Sequence, residues 1–113
     1  MEIKERKESD SLILEISGRL DAATSRQAQD TFLAALDTGS LRIVVDMKDL
    51  DYISSSGLRV FLLVLKKTRE LSGKIHLAAL RDHVREVFDL AGFSSFFPMF
   101  ASVPEAVQAL DQS

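Results

Sequence analysis

The sequence predicts an α/β protein, a mixed β-sheet of four to five strands packed with about four helices. Short apolar runs at strand period, within residues 12–16, 41–46 and 75–79, alternate with longer stretches whose apolar residues recur at helical spacing. Gly39, Gly73 and Gly92 stand where those helices should stop. The hydrophobic share, 46% of 113 residues, suits one domain over residues 1–113, with a core able to hold without metal or disulfide. Strands separated by helices join in parallel through right-handed crossovers, and an opening pair with no helix between them is antiparallel.

Each element has its own signal. Ile3, set among Glu2, Lys4, Glu5, Arg6 and Lys7, gives a solvated edge strand, and Ser9-Asp10-Ser11 turns the chain. Leu12, Leu14 and Ile16 alternate with Ile13, Glu15 and Ser17 in a second strand that Gly18 should close. Asp21 then caps a helix whose Ala28, Phe32 and Leu36 share a face, with Gly39 as its left-handed end. Residues 41–46 (Leu-Arg-Ile-Val-Val-Asp) read as an inner strand covered on both faces. A loop is expected over residues 47–53, and a second helix from Leu58 to Ser72, stopped by Gly73. Ile75, Leu77 and Ala79 form a further strand. Asp82 caps a helix that turns Val84, Val87, Phe88 and Ala91 inward. Residues 97–100 carry Pro98 and belong at a sheet edge. Ser102 and Glu105 make a capping box, Pro104 sits in the first turn, and Val107 and Leu110 supply the buried face of a last helix.

Composition removes several classes of function. Lys+Arg 14 against Asp+Glu 17 gives a net charge of -3, the wrong sign for a protein that gains affinity by neutralising nucleic-acid phosphates. With Cys 0 there is no disulfide framework, thiol nucleophile or zinc-cysteine knuckle, and a cytoplasmic location is expected. No apolar run approaches the ~20 residues of a membrane span, and the charged start has no signal-peptide core, so no direct membrane insertion is expected.

Little in the sequence supports catalysis. Three consecutive serines suggest a nucleophile, but the elbow pattern needs glycine two residues earlier, where Ile53 stands, and nothing aims His76 or His83 at Ser55. Two isolated histidines make no metal site. Asp46, Asp49 and Asp51 resemble a magnesium-binding receiver cluster only in part, because the earlier strand ends in Ser17-Gly18-Arg19 without its acidic pair. No Gly-Lys-Ser/Thr phosphate loop occurs. The chain is read as neither an enzyme nor a cofactor binder.

The informative junction is Ser54-Ser55-Ser56-Gly57-Leu58-Arg59. One serine suffices to cap the following helix, at about 0.5–2 kcal/mol. The remaining hydroxyls lie where an added phosphate fits, because free N–H groups and the positive dipole end favour an anion. Residues 58–65 are apolar around the whole helix except at Arg59, which predicts either burial under neighbouring helices or an interface.

At these residues the sequence resembles the STAS domain family, specifically the stand-alone bacterial anti-sigma factor antagonists, over essentially the whole chain. Ile16-Ser17-Gly18-Arg19-Leu20-Asp21 is similar to the family's Gly-x-Leu-Asp turn. The stretch from Ile43 to Ser56-Gly57-Leu58 is similar to its central strand and Asp-Ser-Ser/Thr/Ala-Gly-Leu switch loop, and Val87-Phe88-Asp89-Leu90-Ala91-Gly92-Phe93 to its later helix and turn.

The resemblance implies a STAS-type fold and a partner switch. The unmodified protein, a monomer when free, would bind an anti-sigma factor/serine kinase of GHKL ATPase fold and release that partner's client. Phosphorylation of Ser55 would break the complex and a PPM-type serine phosphatase would restore it. Ser54, which replaces the usual aspartate, and Ser56 are rival acceptors. Asp21, Ser54, Ser55, Ser56, Gly57, Leu58 and Arg59 are the implied partner-binding residues. The alternative within the family is a non-switching scaffold subunit of a membrane transporter complex, a class that typically lacks the acceptor serine.

Overall fold

A computed structural model describes residues 1–112. Strands β1 (Glu2–Glu8) and β2 (Ser11–Leu20) form a hairpin, followed by α1 (Ser25–Asp37), β3 (Arg42–Ile53), α2 (Ser55–Glu70), β4 (Lys74–Ala78), α3 (Asp82–Leu90), β5 (Met99–Phe100) and α4 (Val103–Asp111). The strands lie side by side in chain order, antiparallel between β1 and β2 and parallel thereafter. This is the mixed α/β sheet expected, with β3 in its middle.

The two faces of the sheet are covered unequally. Leu12, Leu14 and Ile16 of β2, Ile43 and Val45 of β3 and Ile75 and Leu77 of β4 pack against the buried sides of α1, α2 and α3. Phe61 of α2 sits at the centre of this layer, with ring centroids 5.6 Å from Phe32, 5.4 Å from Phe88 and 5.9 Å from Phe97. On the other face Ile13, Val44 and Ala78 meet Val103, Ala106 and Leu110 of α4 alone. Burial under α1 and the sheet accounts for most of the apolar excess of α2. Leu58, Val60, Phe61, Val64 and Leu65 are buried, and Leu63 stays 41% exposed.

The largest departure from expectation is the length of β3. Residues 47–53 continue the strand because β2 also runs on past Gly18, and the two stay paired to Leu20 and Ile53. Register shifts between Glu15 and Ser17 and between Gly18 and Arg19 break the alternation. The buried residues of this part of β3 are therefore Met47, Leu50 and Ile53, three apart, a spacing that conceals a strand. Gly18, at φ 91°, serves the irregularity and does not close the strand.

Smaller corrections concern helix ends. Helix α2 runs from Ser55, not Leu58, to Glu70, not Ser72, and Ser72 takes the left-handed conformation (φ 59°) just beyond the Leu71 cap. Gly73 is needed for closeness, since a Cβ there would lie 2.8 Å from the Leu41 carbonyl oxygen. Asp82 lies in the first turn of α3 behind Arg81, and Ala91 is exposed beyond its end. The predicted Ser102 cap stands, its Oγ accepting from the Glu105 N–H at 3.3 Å.

Arg81 ties the far end of β3 to the start of α3. Its Nε donates to the Lys48 carbonyl (2.7 Å), its guanidinium pairs with Asp51, and Asp49 lies 3.9 Å away. His83 Nε2 donates to the Asp51 carbonyl at 2.6 Å. The three aspartates that resemble a receiver cluster in part have other partners: Asp46 is buried and accepts from the Lys48 N–H, while Asp49 and Asp51 face Arg81.

Candidate functional site

The serine run sits where β2 and β3 end together. Leu20 and Ile53 are the last paired residues of the two parallel strands, so Asp21 and Ser54 leave the sheet side by side. The Ser54 N–H donates to the Leu20 carbonyl at 2.9 Å, which joins the two strand ends. The carboxyl ends of parallel strands are the usual place for function in open α/β sheets, because the loops there are free of the core.

Three neighbouring serines have three different environments. Ser54 is the N-cap of α2, extended at φ -96° and ψ 177°, with its Oγ accepting from the Gly57 N–H at 3.3 Å. Ser56 is half-buried in a shallow groove between α1 and α2 with Ser25, Arg26, Gln29 and Arg59. Ser55 is exposed in the first position of the helix, and its hydroxyl has no hydrogen-bond partner among the described residues.

Gly57 fixes how close this turn comes to the sheet. It is buried, and a Cβ at its position would lie 2.8 Å from both Ile53 Cγ1 and Leu20 Cγ and 3.0 Å from the Leu20 carbonyl oxygen. Only glycine lets the first turn of α2 rest on the two strand ends. Leu58 is buried as well, at 8%, so both residues support the serines from below, while Arg59 is exposed beside them.

Asp21 is not the cap of α1. Its Oδ1 accepts from the N–H groups of Ala23 (3.0 Å) and Thr24 (3.3 Å), which makes a tight turn ahead of the helix. The helix itself starts at Ser25 behind Thr24, whose Oγ1 donates to the Arg19 carbonyl at 2.8 Å. The other carboxylate oxygen of Asp21 lies 3.8 Å from Arg19 Nε, and the Arg19 guanidinium sits 4.3 Å above the Tyr52 ring. Arg19 and Tyr52 were not singled out from sequence, yet they are paired in register just before the site. The signal was present in the matching distances of the two residues from the ends of their strands, and it becomes legible only once the strands are known to run that far.

Both histidine side chains are engaged away from the serines. His76 is buried, donates Nδ1–H to the Ala106 carbonyl at 3.2 Å and stacks 5.0 Å from Phe100, and burial pushes its pKa down. His83 is bonded to Asp51. Among the described residues no group of three His, Cys, Asp or Glu side chains could hold a metal, and no helix is long and apolar enough to cross a membrane.

The STAS domain matches residues 2–106 of this sequence. The chain belongs to the STAS domain family. Among its relatives, BtrV of Bordetella bronchiseptica, which carries the name of an anti-sigma factor antagonist, is 44% identical over 98 residues, 87% of this chain and 84% of the relative. The anti-sigma-B factor antagonist of Listeria monocytogenes is 27% identical over 94 residues, 83% of this chain and 82% of the relative. Among solved structures, the anti-sigma factor antagonist SpoIIAA in its unphosphorylated form superposes with a TM-score of 0.84 at 20% identity, over 99% of this chain and 98% of that one. The phosphorylated form of the Bacillus SpoIIAA gives 0.75, over 96% and 99%. This protein therefore shares the fold of these solved structures, with its serine run on the helix entry behind the central strand.

Proposed function

We propose that this protein is an anti-sigma factor antagonist that works by partner switching, as a ligand and kinase substrate and not as an enzyme. Unphosphorylated, it binds an anti-sigma factor/serine kinase of GHKL ATPase fold and releases that partner's client; phosphorylation of Ser55 ends the complex and a PPM-type phosphatase renews it. The interaction takes place in the cytoplasm and the free protein is a monomer.

The observation that carries this reading is the exposed, unbonded hydroxyl of Ser55 on a turn packed closely against two strand ends. Ser54 spends its oxygen on the cap and Ser56 is half-buried in a groove, which leaves Ser55 as the accessible acceptor. Kinship with BtrV, at 44% identity, supports the antagonist role. In this reading Asp21, Ser54, Ser55, Ser56 and Arg59 meet the partner, while Gly57 and Leu58 hold the surface in place.

Phosphorylation adds about -1.5 to -2 charges and three acceptor oxygens to that surface. Left unpaired under a partner, such a group costing about 4 kcal/mol lowers affinity roughly a thousandfold. The fold is unaffected, because the helix N-terminus accepts an anion.

The test is capture from native lysate by the wild type, Ser55→Ala and Ser55→Asp proteins, each checked for folding by circular dichroism, with retained proteins identified by mass spectrometry. Retention of a GHKL-type ATPase by the alanine protein and its loss by the aspartate protein are expected. Equal retention of the same partners by both, transporter subunits above all, would overturn the switch and favour a scaffold.

A further inference from the structure

We infer that Arg59 is the intramolecular counter-ion of phosphorylated Ser55, an inference that rests on Ser55 being the acceptor. Ser55 and Arg59 are both exposed and stand four residues apart in α2, one turn of the same helix. Side chains at that spacing are neighbours on a helix surface, and the favourable order places the anion on the N-terminal side and the cation on the C-terminal side. Phosphoserine at 55 and arginine at 59 have this order.

Arg59 borders the groove that holds Ser56 between α1 and α2, and no carboxylate lines that groove to compete for it. The first turn of α2 contains no acidic residue, and Arg59 makes no ion pair among the described residues. The other cations near the turn are taken: Arg26 of α1 lies 3.3 Å from Asp30, and Arg19 of β2 is held between Asp21 and the Tyr52 ring. A cation so near the start of a helix is on the unfavourable end of the dipole, a placement that becomes favourable when an anion arrives beside it. The planar guanidinium can then grip two phosphate oxygens at once.

The consequence is a switch that works in two ways on one surface. The phosphate brings negative charge to the contact, and it also removes Arg59, which the unphosphorylated protein offers to a partner carboxylate. The first turn of α2 is tightened by the modification and not melted.

The experiment uses the full chain with phosphoserine incorporated at position 55, in wild type, Arg59→Lys and Arg59→Ala backgrounds. Phosphorus NMR follows the second ionisation of the phosphate, ordinarily near pH 6. The wild type is expected to titrate about 0.3 pH units below Arg59→Ala, a roughly twofold change in proton affinity of the size seen for helical ion pairs, with Arg59→Lys in between. The gap should narrow in high salt. Phosphorylation should also raise the melting temperature more in the wild type than in Arg59→Ala. Identical titration in wild type and Arg59→Ala overturns the pairing. No partner takes part in this titration, so failure of the pairing is separate from failure of the antagonist reading, which lies in a Ser55-phosphorylated protein that still captures its partner.

Discussion

Replacing Gly57 with alanine tests the geometry of the site more directly than any change at the serines. The new methyl group would stand 2.8 Å from Ile53 Cγ1, 2.8 Å from Leu20 Cγ and 3.0 Å from the Leu20 carbonyl oxygen. None of these can withdraw easily. Leu20 and Ile53 are buried at 0% and 3% exposure, and the carbonyl is held by the Ser54 N–H at 2.9 Å. The first turn of α2 must lift instead, at about 2 kcal/mol for an overpacked core position. Lifting it also loosens the Ser54 cap, at about 1 kcal/mol. Against this, alanine is favoured over glycine in a helix by about 1 kcal/mol. The net expectation is a loss of about 2 kcal/mol, or about 8 °C in melting temperature for a chain of this size. Thermal unfolding by circular dichroism reads it. A melting temperature equal to or above that of the wild type would refute the reasoning, since helix propensity would then outweigh the contact and the turn could not be resting on the strand ends.

Two further predictions concern the core. Phe61→Ala removes the ring that meets Phe32, Phe88 and Phe97, and should cost about 3–5 kcal/mol in urea unfolding, with loss of near-ultraviolet signal. His76 has its pKa lowered by burial, so the unfolded chain binds more protons than the folded one as the pH falls through the unfolded value of about 6.5. Stability should accordingly be full above neutrality and decline on acidification until the folded histidine is also protonated. His76→Gln should reduce the slope of stability between pH 7 and pH 5 in denaturant titrations.

Much of the fold could be read from local pattern because the elements concerned bury one simple face. Leu12, Leu14 and Ile16 alternate, Ile43, Val44 and Val45 form a continuous run, and Ala28, Phe32 and Leu36 recur at helical spacing; all of them are core. Gly39 and the Ser102 cap are likewise local decisions, set by backbone conformation and a single side-chain bond. Reading failed where the neighbouring strand made the decision. The continuation of β3 over Lys48, Asp49 and Asp51 has no alternation of its own, and it exists because β2 continues beside it with two register shifts and because Arg81 and His83 hold its outer side.

The candidate site divides in the same way. The sequence alone determined that a run of hydroxyls stands at the entry of a helix behind the central strand, since a capping serine and an apolar periodic stretch are sufficient to place it. It also carried the family resemblance, because those motifs are written in consecutive residues. Only the tertiary structure decided the surroundings of each serine. Asp21 and Ser54 are 33 positions apart in the chain and become neighbours through the pairing of Leu20 with Ile53. Exposure of Ser55, partial burial of Ser56 against α1 and the need for Gly57 all depend on how closely α2 rests on those two strand ends. That distance is set by packing between segments remote in sequence, and local propensity carries no information about it.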